Sequence, residues 1–333
     1  MHNQAHCIHK ALRSIQNQSL KNIEILVMLD CSYDNSTETI KKYMEEDERI
    51  VLVNHAIIEG IMRTRSEGIK LAKGKYITAL DGDDAFIHKD ILYNSLYIAN
   101  LGNIDIVEFV ASIYRNHTWN GFIHDHKAND IIYQPKLRDA FFIINERKEW
   151  IRAVKCRTIW GKIVKNEIFK KAIDNIGTKY TEDYFLGFED TMMTVSLYQV
   201  AQSYYLLNQI GLYYSRDDKV GTYPAISSKK CIKKYQFIKG LDSLKYLNFL
   251  NDKFEDTEIE KLTLYHETIS INYYPFTNYY KNIVGNFDMI YKIFDVLFES
   301  KYIPEKKKER LKKLKDEVVK KEKEVESQKK KII

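Results

Sequence analysis

The 333-residue sequence predicts an α/β fold, a mostly parallel sheet with flanking helices, followed by a helical carboxyl-terminal region. Between residues 23 and 109 short β-rich runs alternate with longer amphipathic ones. That order implies parallel strands joined by right-handed crossovers. Beyond residue 226 the β-rich runs give way to tyrosine-rich amphipathic stretches. A third observation bears on chemistry. The strand-like run "KYITAL" (75–80) ends in Asp81, Gly82, Asp83 and Asp84, three carboxylates within four residues. Such a cluster repels itself, and its burial calls for a counter-charge. A solvated Asp-Gly turn is one explanation; a divalent cation at the strand's end is the other.

The elements follow in order. "IEILVML" (23–29) is a near-continuous apolar run, as expected of a strand covered on both faces. "STETIKKYMEED" (36–47) reads as a helix opened by Ser36, "IVLVNH" (50–55) as a strand, and "GIMRTRSEGIKLAKG" (60–74) as a helix closed by Gly74. After "KYITAL" come a helix around 88–100 and the strand "IDIVEFV" (104–110). "QPKLRDAFFIIN" is loop-like, "FEDTMMTVSLYQVA" (188–201) is an amphipathic helix, and "YYLLNQIGLYYSR" (204–216) reads as paired strands. Leu311, Leu314, Val318, Val325 and Ile332 fall near heptad spacing, but Lys321 and Gln328 interrupt the seam.

Composition narrows the classes. With 44% hydrophobic and 29% charged residues the chain is globular in type. No apolar run approaches the roughly 18–20 residues that span a bilayer. Cys7, Cys31, Cys156 and Cys231 are far apart, which favours reduced thiols and a cytoplasmic location. The net charge of +6 is local: residues 306–331 carry 13 Lys/Arg and 6 Asp/Glu, so the rest is close to neutral. Charge therefore gives no support for a nucleic-acid partner. The lysine- and glutamate-rich tail reads as a solvated helix, with peripheral docking on the cytosolic face of a membrane as the alternative.

In open α/β sheets ligands bind beyond the carboxyl ends of the strands. Here Asp30 and the Asp81–Asp84 cluster occupy two such ends, with Arg65 on the intervening helix. Carboxylate oxygens suit Mg²⁺ or Mn²⁺, and an arginine fork suits phosphate oxygens. Arg65 has a surface alternative, pairing with Glu59 or Glu67, and Asp30 could cap a turn.

These motifs, in this order, resemble family 2 glycosyltransferases of the GT-A fold, the Rossmann-like architecture of nucleotide-diphospho-sugar transferases. "SIQNQSLKNIEILVMLDCSYDNS" is similar to the family's helix end, second strand and Asp-Asp-Gly-Ser motif. "GIMRTRSEGIKLAKGKYITALDGDD" resembles its arginine-bearing helix and Asp-x-Asp-Asp motif. "RTIWGKIVKNEIF" is similar to its Trp-x-Lys-Leu segment, and "GFEDTMMTVSLY" to its Glu-Asp catalytic segment. The resemblance covers residues 3–222, implying a glycosyltransferase domain over 1–222, a helical region over 223–304 and a charged helical tail over 305–333.

By that resemblance Asp30 meets the nucleotide base, Arg65 the diphosphate and Asp81 the ribose. Asp83 and Asp84 hold Mn²⁺ or Mg²⁺, and Asp190 is the catalytic base. Glu189, about 100° around the same helix, is expected to point elsewhere. Trp160 reads as core or as an acceptor platform. The implied reaction is inverting transfer from a nucleotide-diphosphate sugar, a UDP-sugar by expectation, to a glycan, lipid or protein hydroxyl. Leu29, Cys31 and Ser66 depart from the family pattern, and the family's opening strand has no counterpart ahead of Asn3. Those departures suit a rival reading, an inactive relative that acts as a binding or scaffold protein. A nucleotidyltransferase is disfavoured, because no glycine-rich phosphate loop lies near the amino terminus.

Overall fold

The computed structural model describes residues 1–115, 118–122, 131–133, 158–185, 187–215 and 305–329, with isolated residues between 245 and 299. The chain divides into two compact units. One comprises Met1–Ile143, Ile151–Phe185 and Glu189–Ala225; the other comprises Ile144–Trp150, Leu186–Phe188 and Ile226–Ile333. The segment "QPKLRDAFFIIN" and most of the helical region expected over 223–304 lie outside the described residues.

In the first unit the expected alternation is present. Helix α1 (Ile8–Gln16) precedes β1 (Ile25–Asp30), α2 (Ser36–Glu46), β2 (Ile50–His55), α3 (Ile61–Leu71) and β3 (Tyr76–Thr78). β1 and β2 pair in parallel with Ile25 opposite Ile50. Ile8 and Leu12 of α1, Ile40 of α2 and the β1 residues Ile25, Val27 and Leu29 form one apolar cluster. Against the other face of β1, a side chain at Gly68 of α3 would meet Met28 Cγ at 3.1 Å. The continuous apolar run of β1 follows from this double cover.

The remaining strands form a second, mixed sheet. β4 (Ala85–Phe86) is followed by α4 (Ile91–Leu101), β5 (Ile106–Arg115), β6 (Thr118–Phe122), β7 (Ile131–Tyr133) and β8 (Lys162–Lys165). Helices α5 (Asn166–Ile176), α6 (Thr178–Thr181) and α7 (Glu189–Val200) then lead into β9 (Ser203–Ser215). The sheet order is β3-β8-β5-β9-β4, with β6 on β5 and β7 on β9. Among the described strand pairs of this sheet only β5–β9 is parallel, so the expected mostly parallel sheet is observed as a mixed one within the α/β fold. The short β8 runs antiparallel between β3 and β5, β6 runs antiparallel to β5, and β4 and β7 run antiparallel to β9.

Two further differences have local causes. β9 is one strand of 13 residues and not a hairpin. Its polar pair Asn208-Gln209 is passed over in the register, which steps from Phe109 opposite Leu207 to Val110 opposite Ile210. A bulge therefore absorbs the residues that read as a turn. No strand joins β1 to β3 among the described residues. On β1, Met28 O accepts from the Met1 amino group at 2.8 Å, and Met1 O accepts from Asp30 N at 2.6 Å.

The second unit contains α8 (Glu305–Lys329). Leu311 and Val318, one heptad apart, are buried to 1% and 2% exposure, so this helix is not solvated all round. Tyr291 donates its hydroxyl to Glu322, and Lys315 pairs with Asp295 at 2.9 Å while lying over the rings of Tyr291 and Phe298.

Candidate functional site

Four segments of the first unit supply the site. Asp30 ends β1, Arg65 stands in the middle of α3, Asp81–Asp84 follow β3, and Glu189 and Asp190 open α7. The Asp-Gly turn is tucked inward. Asp84 N donates to Asp81 O at 3.0 Å, and a side chain at Gly82 would strike Gln4 Oε1 at 2.3 Å. At the start of α7, Phe188 holds φ at 68°, an uncommon conformation for a bulky residue, just before the two acids.

Arg65 is where these segments meet. Its Nη2 donates to Asp81 Oδ1 at 2.7 Å, and its Nη1 donates to Glu189 Oε1 at 3.1 Å and to Asp190 Oδ1. Burial disfavours the guanidinium charge, yet Asp190, Asp81 and Glu189 together hold it protonated above its ordinary value. The surface pairing that the sequence also allows is taken up otherwise: Glu59 binds Arg63 at 2.7 Å, and Glu67 binds His55 at 2.7 Å. Glu189 does not point away. From the first turn of α7 its longer side chain reaches the same nitrogen as Asp190.

Asp190 sits in an environment that disfavours its charge. Burial raises its carboxyl to about 7 against the pull of Arg65, with Glu189 adding to the rise. Burial and the charge of Asp81 raise Asp83 to about 6. Asp84, 1% exposed, is raised well above the carboxylate range, by burial first and then by Asp81 and Asp83. Its Oδ1 accepts from Ser215 N at 2.9 Å, while its Oδ2 is buried with no hydrogen-bond partner. An orphaned carboxylate oxygen beside two further acids suits a hard cation. Among the described residues no three His, Cys, Asp or Glu side chains form a preformed cage. That pattern fits an ion held by one or two carboxylates and by phosphate oxygens of a ligand.

Asp30 is more occupied than the sequence suggests. Its Oδ1 accepts from Glu59 N at 2.8 Å and faces His55 Nδ1 at 3.1 Å, and its Oδ2 accepts from Gly60 N at 3.0 Å. Gly60, at φ 88°, is the turn into α3, so the carboxylate secures the entry of the helix that carries Arg65. His55 bridges Asp30 and Glu67, a role that sequence inspection missed because it depends on β2 lying beside β1. Cys31, standing where the family pattern has glycine, adopts φ 48°, the left-handed conformation that glycine takes most readily. Trp160 is 3% exposed and stacks on Tyr214 with centroids 4.7 Å apart, so it belongs to the core.

Lys162, whose charge acts on Asp190, belongs to a fully buried ion pair that sequence inspection did not identify. Lys162 Nζ is 3.6 Å from Glu108 Oε2, with side-chain exposures of 0% and 1%. Lys162 also donates to Thr158 O at 2.6 Å, and Tyr204 donates to Glu108 at 3.0 Å. A lysine after Trp-Gly was the only signal available.

The arrangement joins a cation suited to a diphosphate, an acid pair suited to a metal and an acid of raised basicity. The model of the family described as "Glycosyl transferase family 2" matches residues 1–161. These residues belong to glycosyltransferase family 2. This family 2 domain is similar to Glycosyltransferase GlyA of Streptococcus pneumoniae, 29% identical over 212 residues, covering 62% of this chain and 29% of the relative. It is also similar to the Campylobacter jejuni GalNAc(5)-diNAcBac-PP-undecaprenol beta-1,3-glucosyltransferase, 24% identical over 292 residues, covering 86% of this chain and 82% of that one. The chain spans 29% and 59% of the lengths of GlyA and Bacillus subtilis EpsJ. Among solved structures, S. aureus TarS 1-349 in complex with UDP-GlcNAc matches with a TM-score of 0.58 at 15% identity, covering 99% of this chain and 90% of that one. That likeness shows the fold, a GT-A architecture.

Proposed function

We propose that the chain transfers a sugar from a nucleotide-diphosphate sugar to an acceptor hydroxyl, with inversion at the anomeric carbon. The observation that carries this reading is the meeting of Arg65 with Asp81 and Asp190 within a family 2 domain. A UDP-sugar is the expected donor; the complexes of TarS with UDP and UDP-GlcNAc support that choice by analogy. The name of the Campylobacter relative supports a hydroxyl of a lipid-linked saccharide as one acceptor class to try.

In this mechanism Arg65 binds the diphosphate and Asp190 faces the acceptor. The acceptor hydroxyl gives its proton to Asp190 as its oxygen bonds to the anomeric carbon. The bond from that carbon to the diphosphate oxygen breaks, and its electron pair leaves with the nucleoside diphosphate. An acid near 7 suits a general base at neutral pH. Asp83 and Asp84 would hold Mn²⁺ or Mg²⁺, which supplies Lewis-acid stabilisation of the departing charge. No general acid is needed for a leaving group of this kind.

A second reading rests on Asp30 and Leu29. Three protein groups already engage the Asp30 carboxylate, and the neighbouring family acid is the buried Leu29. A protein that binds nucleotide without turning it over would fit. Titration of UDP with and without Mn²⁺, beside transfer and hydrolysis assays over common nucleotide sugars, separates the two. UDP binding with turnover supports the enzyme, and UDP binding without turnover of any donor supports the binding protein.

A further inference from the structure

Arg65 is held by three carboxylates. Among the described residues it is the one side-chain cation within ion-pair distance of Asp81, Glu189 and Asp190. Its Nη1 is shared between Glu189 and Asp190, and its side chain is only 13% exposed, so the guanidinium has little freedom to gain partners without giving some up. Three carboxylates around one cation leave the cluster with excess negative charge, and an incoming diphosphate adds more. We infer that Arg65 is a counter-ion switch: it pairs with Asp190 before the donor binds and transfers to the donor's diphosphate, so that the base is released only when the donor is in place. This rests on the reading of the site as a nucleotide-diphosphate sugar site.

The direction of the transfer follows from chemistry. A carboxyl group already raised toward neutrality can surrender a counter-ion by taking up a proton. A diphosphate stays anionic at the same pH and accepts a planar arginine through two oxygens, which favours it as the partner. Lys162, which also favours the Asp190 charge, is held by Glu108 and Thr158 O and is not displaced with Arg65. Glu189 and Asp81 remain beside Asp190 and raise it further. The released group is then a stronger base than the paired one where it is ionised, and because its ionised fraction at neutral pH falls, turnover is favoured on the alkaline side. Catalytic competence toward the acceptor thereby becomes conditional on bound donor, which gives an order to the reaction.

The test reads protons, not turnover. Binding of UDP in the presence of Mn²⁺ is measured by calorimetry near pH 8 in two buffers of different ionisation heat. The wild type, Asp190→Asn and Glu189→Gln are compared, with Asp190→Ser replacing the amide variant if it does not fold. The switch predicts that the wild type takes up on the order of half a proton more than Asp190→Asn does, because the acid's affinity for protons rises on binding. Glu189→Gln should keep most of that difference. Equal proton uptake in the wild type and Asp190→Asn would overturn the switch while leaving the site reading intact. So would loss of the difference in Glu189→Gln alone, which would move the titration to the neighbouring acid. Absence of UDP binding in the wild type overturns the site reading and the switch together.

Discussion

Arg65 and Asp190 stand 125 positions apart in the chain and meet as an ion pair at the junction of α3 and α7. Both belong to elements recognisable in the sequence, but their pairing depends on the fold. α3 packs over β1, Asp30 secures its first turn, and the acids of α7 reach the same guanidinium that Asp81 reaches from the end of β3. The pair gives the site its charge balance and leads to several predictions.

Asp83 and Asp84 are expected to couple nucleotide binding to metal. Asp83→Ala and Asp84→Ala should each weaken Mn²⁺-dependent UDP binding by about tenfold or more, on the scale of disturbed metal sites. Without metal, Asp83→Ala should melt no lower than the wild type, since burial and the neighbouring acids disfavour the Asp83 charge. Calorimetry and thermal melts check both halves. UDP binding of equal strength with and without Mn²⁺ in the wild type would contradict the assignment.

Stability should fall as pH rises through the acid-to-neutral range. Asp83 and Asp190 hold their protons to about 6 and about 7 in the folded chain, above the ordinary carboxylate value of 3.8. The folded state therefore binds more protons than the unfolded one between about pH 4 and 7, and stability declines with pH in that window. Asp190→Asn removes one of these groups and should flatten the decline of melting temperature with pH. Parallel melting curves against pH for the two proteins would contradict the burial of Asp190.

Lys162 and Glu108 should behave as a mutually dependent pair. Lys162→Met removes one partner of this buried pair and should cost about 3–5 kcal/mol, the usual cost of breaking one. Replacing both, as Glu108→Leu with Lys162→Met, should recover much of that loss. Denaturant unfolding of the two singles and the double measures the coupling, and additive losses would contradict it.

How much of this the sequence carried depends on the range of each contact. The strand-end acids and the arginine-bearing helix were legible because each is a local pattern. Where Asp30 spends its hydrogen bonds was not, since His55, Glu59 and Gly60 reach it across the β1–β2 register. Helical spacing separated Glu189 from Asp190, but at a first turn the side chain's length outweighs its angle. The reading of 204–216 as a hairpin failed because Asn208-Gln209 looks like a turn locally, whereas pairing with β5 keeps the strand continuous around a bulge. The lysines of 306–331 masked the apolar seam of Leu311 and Val318.

That seam makes the last helix part of its unit. Leu311→Ala should destabilise the second unit by about 2–5 kcal/mol, the range for truncating a buried leucine. Lys313, which is exposed on the same helix, should tolerate alanine within about 0.5 kcal/mol. Denaturant unfolding of the full chain followed by a probe in the second unit compares them. Equal, small effects would return the helix to the status of a solvated tail.

The central claim is that Asp190 is the base, and the most direct test compares Asp190→Asn with Glu189→Gln in a sugar-transfer or donor-hydrolysis assay alongside UDP titrations. Asparagine keeps the shape of Asp190 but cannot accept the proton. Turnover by Asp190→Asn should fall by roughly 10²–10⁴, the usual worth of a positioned base, with UDP affinity within a few-fold of wild type. Glu189→Gln should lose distinctly less. Equal, small losses at both positions, or a loss at Asp190 that appears wholly in UDP affinity, would remove Asp190 from that role.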